Sequence, residues 1–243
     1  GAPKFFYYSF QPPLNLSYSQ KVELLAEEIK NKHGLFIYID NPNNPTGDFA
    51  DLDVIKNLVC TAESGGNVVI VDEAFGDVIP DEKSAVHLTE SYCNLIVLRG
   101  VSEVIGMAGI RIGYGVFSRG IGEVFKNLQS GFSLSGPQQL IINEILKPDI
   151  LRPHIESVRQ RIRSLKNNLV EGLKELGIRI APSHPDVPIL LAIGVDDFFE
   201  RLRRYRVLTV PGSCFGSTYP LNNSAVRIII PKTNKKVNEI LKR

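Results

Sequence analysis

Apolar and polar positions along the chain fall into short blocks whose period keeps switching between two values. Residues 35–39, 67–71 and 94–98 are near-continuous apolar runs, too brief for helices and rich in branched side chains. Each predicts a buried strand. Between them the spacing becomes helical. Residues 20–32 place Val22, Leu24, Leu25 and Ile29 on one stripe, with Ser19 as the expected N-cap. Residues 52–64 are amphipathic and stop at Gly65-Gly66. The aromatic run at 4–10 and the segment 111–117 read as further strands. Apolar strands alternating with helices predict an α/β fold, a mostly parallel sheet with helices on both faces.

The texture changes in the second half. Residues 121–129 and 138–146 are helical, and 150–176 form one long helical pattern with Pro153 near its start, where proline is tolerated. Beyond it come short strand patterns at 177–180, 187–193, 206–210 and 225–230, with helices at 196–205 and 235–243. The expected organisation is a large domain over residues 1–150, then the long helix and a small α+β domain over 151–243. There are no repeats and no low-complexity segment.

Composition narrows the function classes. The 243 residues are 43% hydrophobic and 22% charged, an ordinary globular mixture. A net charge of +2 with no basic run interleaved with aromatics argues against a nucleic-acid partner. The densest cluster, residues 201–206, reads as the solvated face of a short helix. No apolar run reaches the length of a membrane span. Cys60, Cys93 and Cys214 are scattered without metal-like spacing, so no metal site is expected. Cys60 and Cys93 sit in apolar neighbourhoods and are expected to be buried, as suits a cytoplasmic protein.

In open α/β sheets, ligands bind at the carboxyl ends of the parallel strands. Four polar groups fall there: residues 41–44, Asp72-Glu73, residues 99–102, and Arg111 after the following turn. Taken singly, each is also a common turn, cap or salt-bridge residue. Their order is more telling. Asn-Pro-Asn-Asn-Pro-Thr-Gly (41–47), then Val71-Asp72-Glu73-Ala74-Phe75, then Ser102 through Gly109-Ile110-Arg111-Ile112-Gly113-Tyr114 resembles the class I and II aminotransferases. These are fold-type-I enzymes that use pyridoxal 5'-phosphate (PLP), and the likeness runs from about Lys4 to the C-terminus. Within the family, residues 72–80 and 94–99 look most like threonine-phosphate decarboxylase, with histidinol-phosphate aminotransferase a close second.

The resemblance implies a site. Asp72 would pair with the protonated pyridine nitrogen and keep the ring cationic, able to accept electrons. Asn44 would hydrogen-bond the phenolic oxygen. Phe75 stands where the aminotransferases commonly have a tyrosine sharing that oxygen. Ser102 and Arg111 would hold the phosphate, Arg111 as a charge-assisted donor. Arg227 matches the arginine that clamps the substrate carboxylate. The implied substrate is an amino acid or phosphorylated amino acid, and the expected assembly is a homodimer.

Two departures accompany this pattern. Glu103 occupies the position of the lysine that joins the cofactor covalently, and a carboxylate cannot condense with an aldehyde. Family members also carry further sequence ahead of the equivalent of Lys4. That segment supplies a phosphate-cradling loop, a ring-stacking aromatic and part of the sheet, so an open sheet edge is expected that a second chain would cover. Three readings follow: a working PLP-dependent aminotransferase or decarboxylase, a catalytically inactive relative serving in binding or as a scaffold, or one part of a split enzyme.

Overall fold

In the computed structural model, which describes residues 9–128, 131, 133–194, 197–215 and 221–241, the apolar runs become the strands of two separate sheets. The first helix, α1 (Tyr18–Ile29), is capped by Ser17 rather than Ser19. The Ser17 hydroxyl accepts from the Gln20 amide, and the Gln20 side chain accepts from the Ser17 amide, a reciprocal capping box. Ser19 lies inside the helix, and its hydroxyl accepts instead from the Asp51 amide.

Strand β1 (Phe36–Asp40), helix α2 (Leu52–Ser64), strand β2 (Val68–Asp72) and strand β3 (Leu95–Gly100) follow. The three strands pair in parallel in that order, and β4 (Gly113–Phe117) adds an antiparallel edge beside β3. Helices α1 and α2 cover one face, packing Val22, Ile55 and Leu58 onto Ile37, Val69 and Val71. Each such buried aliphatic contributes about 1.5–3 kcal/mol relative to exposure. The opposite face is open at β1, where Phe36 is 68% and Tyr38 55% exposed, so helical cover on both faces is not complete among the described residues.

Helices α3 (Arg119–Leu128) and α4 (Gly136–Ile145) lead to the 28-residue α5 (Pro148–Glu175). Pro148 opens α5, and Pro153 sits inside it, a turn further on. The second sheet contains β5 (Arg179–Ile180), β6 (Ile189–Ile193), β7 (Val210–Pro211) and β8 (Ala225–Ile229) in the order β5-β6-β8-β7, antiparallel throughout. Helices α6 (Phe198–Arg204) and α7 (Asn234–Leu241) pack against it with α5.

Three expectations are corrected. The strand expected at 206–210 shrinks to Val210–Pro211, the two residues that pair with β8, and Arg206 itself holds φ +60°, a left-handed conformation outside extended chain. Of the strand expected at 4–10, residues 4–8 lie outside the described residues, and Ser9 and Phe10 have no regular structure. Cys60 and Cys93 are exposed rather than buried. On α2 the buried stripe is Ile55, Leu58, Val59 and Ala62, and Cys60 falls on the opposite side.

A separate apolar cluster joins the two sheets' surroundings: Phe75, Val78 and Val104 meet Val158 and Ile162 of α5 and Val187 and Ile189. Beside it, Lys166 is only 2% exposed. Its ammonium donates to the Ser183 hydroxyl at 2.7 Å and to the carbonyls of His184, Val187 and Ile189 at 2.6, 2.9 and 2.8 Å. Burial pulls the Lys166 pKa down to about 7, with Asp48 and Asp186 opposing. These bonds tie α5 to the approach of β6, and the His184 amide in turn donates to the Gly47 carbonyl.

Candidate active site

A cavity of about 390 Å³ opens at the carboxyl ends of β2 and β3. Asp72, Leu98, Arg99, Ser102, Glu103 and Arg111 line it. Parallel pairing explains the location, since every strand of β1–β3 releases its following loop at the same end. Asp72 is the last residue of β2, and alternation with buried Val69 and Val71 sends it away from the α1–α2 core. Ser102 and Glu103 lie in the turn after β3. Arg111 is reached through a short 3-10 turn, Ala108–Ile110, and holds φ +59°, the left-handed conformation that lets β4 start at Gly113.

The Asp72 carboxylate accepts from the Tyr38 hydroxyl through one oxygen and from the Ala74 amide at 2.8 Å through the other. Tyr38 stands two residues before Asp40, which lies in register with Asp72 on the neighbouring strand. Burial pushes the Asp40 pKa up to about 6, reinforced by the Asp72 charge and opposed by hydrogen bonds from Tyr38 and the Asn44 amide. Burial and the same carboxylates also raise the Tyr38 hydroxyl. A small acidic centre with a phenol between its carboxylates thus borders the cavity. Nothing in the sequence pattern singled out Tyr38 or Asp40, although their i, i+2 spacing on β1 places them on the side of the sheet that Asp72 faces.

Glu73 turns the other way. It is 1% exposed and accepts from the Ser84 hydroxyl and the Ala85 amide, both at 2.7 Å. Arg99 reaches it at 3.4 Å and Asp77 at 2.6 Å. Burial raises the Glu73 pKa against the pull of Ser84 and Arg99. Burial pulls the Arg99 pKa down, but Asp77 and Glu73 outweigh it and leave it raised. Arg99 is therefore committed on one side to two carboxylates.

The structure brings Asp72, Ser102, Glu103 and Arg111 to one cavity and places the other singled-out residues differently. Asn44 and Arg227 meet each other, with Arg227 Nη1 donating to Asn44 Oδ1 at 3.1 Å across 183 residues of sequence. Burial lowers the Arg227 pKa while the Glu103 charge raises it, so the pair stands within electrostatic reach of the cavity. The Arg227 Nε is buried and has no hydrogen-bond partner. A guanidinium with a spare donor is suited to receiving an anion, although the nearby Glu103 charge opposes one. Phe75 does not line the cavity; it is 8% exposed within the cluster that joins the two sheets' surroundings. Among the described residues no group of acids, histidines and cysteines could hold a metal ion, and no helix is long and apolar enough to cross a membrane.

Comparisons with known proteins agree with this architecture. The family model for aminotransferase class I and II matches residues 3–243. The histidinol-phosphate aminotransferase of Caldanaerobacter subterraneus subsp. tengcongensis is 30% identical over 190 residues, 78% of this chain and 52% of that protein. Histidinol-phosphate aminotransferase 2 of Archaeoglobus fulgidus is 28% identical over 222 residues, 90% of this chain and 59% of that protein. The chain thus spans a little over half the length of these relatives. The crystal structure of the histidinol-phosphate aminotransferase from Clostridium acetobutylicum superposes with a TM-score of 0.78 at 22% identity, covering 97% of this chain and 69% of that one. Thermus thermophilus aspartate aminotransferase with maleate gives 0.76 at 22% identity, covering 89% and 58%. The mostly parallel sheet, the strand-end cavity and a family match over nearly the whole chain lead to one conclusion: this chain belongs to the class I and II aminotransferase family, whose members depend on PLP.

Proposed function

We propose that this chain forms the cofactor cavity and the substrate-carboxylate contact of a PLP-family protein acting on an amino acid or a phosphorylated amino acid. The reading spans transamination and decarboxylation, the latter from the threonine-phosphate decarboxylase likeness of residues 72–80. The observation that carries it is the convergence of Asp72, Ser102 and Arg111 on one cavity, with the Asn44–Arg227 pair within electrostatic reach. The curated relatives are named for histidinol phosphate, which supports a phosphorylated amino-acid derivative as ligand. The wider reading includes a large unit over residues 1–150, a smaller one over 151–243, a homodimer and a cytoplasmic location.

The donor set fits the cofactor in part. Asp72 offers an anion for a protonated ring nitrogen, and its bonds from Tyr38 and Ala74 hold it in place. Ser102 and Arg111 offer a hydroxyl and a guanidinium for a phosphate. PLP, when bound, supplies an electron sink for carbanion chemistry. Covalent anchoring does not fit, because among the described residues no lysine lines the cavity and Glu103 stands in that place. Arg227, its Nε free, would orient a carboxylate beside the cavity. A second reading, a non-catalytic binding or scaffold protein or one part of a split enzyme, is favoured by Glu103 itself.

The test is a binding titration of the full chain with PLP and with pyridoxamine 5'-phosphate, followed by calorimetry. At least one form should bind, and Arg111→Ala should weaken it about tenfold or more, the worth of a charge-assisted hydrogen bond. Absence of binding by both forms, or an Arg111→Ala protein that binds as well as the parent, would remove the reading.

A further inference from the structure

We infer that the cavity takes the amine form of the cofactor in preference to the aldehyde form and holds it without a covalent bond, with the Glu103 carboxylate making the choice. This rests on the cofactor reading above and adds to it which form is bound.

The first ground is that Glu103 is unspent. It is exposed at the cavity wall, and among the described residues it has no hydrogen bond or ion pair, only its electrostatic influence on Arg227. Ser102 and Arg111 stand in the same cavity, so the carboxylate shares its space with the groups suited to a phosphate.

The second ground is hydrogen-bond polarity. An ionised carboxylate only accepts hydrogen bonds, and an aldehyde oxygen only accepts them. Set against one another they leave two acceptors with no proton between them, so the aldehyde gains nothing from this carboxylate. A primary ammonium is the reverse, a compact cation with three donors. Exchanging lysine for glutamate at this position therefore inverts what the wall can recognise. The lysine would offer an amine to an aldehyde; the glutamate offers an acceptor to an amine.

The third ground is the distribution of charge. Of the two guanidinium groups on the wall, Arg99 already serves Asp77 and Glu73, which leaves Arg111 for an anionic group. Asp72 and Glu103 are the carboxylates on the wall. A ligand with a phosphate at one end, a protonated ring nitrogen and an ammonium matches these three positions in sign. Lys166 does not restore the covalent option, because its ammonium is enclosed by Ser183, His184, Val187 and Ile189.

The experiment compares pyridoxamine 5'-phosphate with PLP by calorimetry on the full chain at low salt, with borohydride treatment and peptide mapping as a separate readout. The amine form should bind at least about tenfold tighter, one charge-assisted hydrogen bond's worth. Borohydride should trap no PLP on the parent chain. Glu103→Gln, a near-isosteric change at an exposed position, should bring the two affinities together. Glu103→Lys should reverse the preference, with PLP then trapped at position 103. Far-ultraviolet circular dichroism confirms that each variant is folded. Equal or tighter binding of PLP by the parent overturns the inference and leaves the cofactor reading standing, as does a preference for the amine form that survives Glu103→Gln. Failure of both forms to bind overturns the two together.

Discussion

At the scale of single residues, the acidic centre at the ends of β1 and β2 has consequences for stability. Asp40 and Asp72 are register partners on parallel strands, and the Asp40 pKa rises to about 6, first through burial and then through the Asp72 charge. An ordinary aspartate in the unfolded chain titrates near 3.8. The folded state therefore holds this proton more tightly, so stability from this group is full below about 3.8 and is lost as pH rises to about 6. Asp40→Asn keeps a side-chain acceptor for the Asn44 amide while removing the charge. At pH 7 it should stabilise the protein by about 1–3 kcal/mol in urea unfolding, and it should flatten the fall in stability across that window. An unchanged or lower midpoint at pH 7 would contradict this account.

At the scale of elements, the loop between β1 and α2 is clipped to the approach of β6. Gly47 has φ +72°, and a Cβ placed there would lie 2.3 Å from the Ile189 carbonyl oxygen and 2.9 Å from Ser183 Oγ. That carbonyl and hydroxyl are the ones that Lys166 also holds. Inside the loop, the Thr46 hydroxyl donates to Asn43 Oδ1 at 2.8 Å, and Asn41 exchanges hydrogen bonds with the main chain of Ala50. The loop is thus rigid on both sides of Asn44, which is what lets Asn44 meet Arg227 from β8. Gly47→Ala combines a left-handed backbone with a collision against main chain, and should cost about 2–4 kcal/mol of unfolding free energy. It should also weaken the proposed carboxylate binding at Arg227 more than the proposed phosphate binding at Arg111. Thermal and chemical denaturation with ligand titration check both, and a neutral substitution would show that the clip is not tight.

At the scale of the whole molecule, the two sheets have separate cores joined by the cluster around Phe75, Val104, Val158 and Ile189. The large sheet ends in β1 on one side and β4 on the other, and among the described residues neither outer edge is paired. Phe36 and Tyr38 on β1 and Leu128 and Leu140 on α3 and α4 are widely exposed, Leu128 at 77% and Leu140 at 71%. Unpaired strand edges favour association. The proposed homodimer should appear in sedimentation velocity as a species of twice the chain mass, and Leu128→Glu with Leu140→Glu should shift it towards monomer. A monomer over the whole micromolar range would rule the homodimer out.

The order of the elements was legible because strand and helix periods are local properties of the chain, set by which side chains face a core. The same alternation located Asp72 at a strand end, and the order of the motif led to the proposal that Glu103 stands where the family has lysine. Ser19 misled because two serines two residues apart both suit an N-cap, and only the reciprocal bond with Gln20 selected Ser17. By itself, then, the sequence determined the α/β alternation, the place of Asp72 at a strand end and the presence of a carboxylate at position 103. Only the tertiary structure decided that Asn44 pairs with Arg227, that Phe75 packs into the bridging cluster instead of the cavity, and that Tyr38 and Asp40 join Asp72. The physical reason is that periodicity tells each side chain which face it occupies, whereas convergence depends on strand order, register and the packing of distant elements.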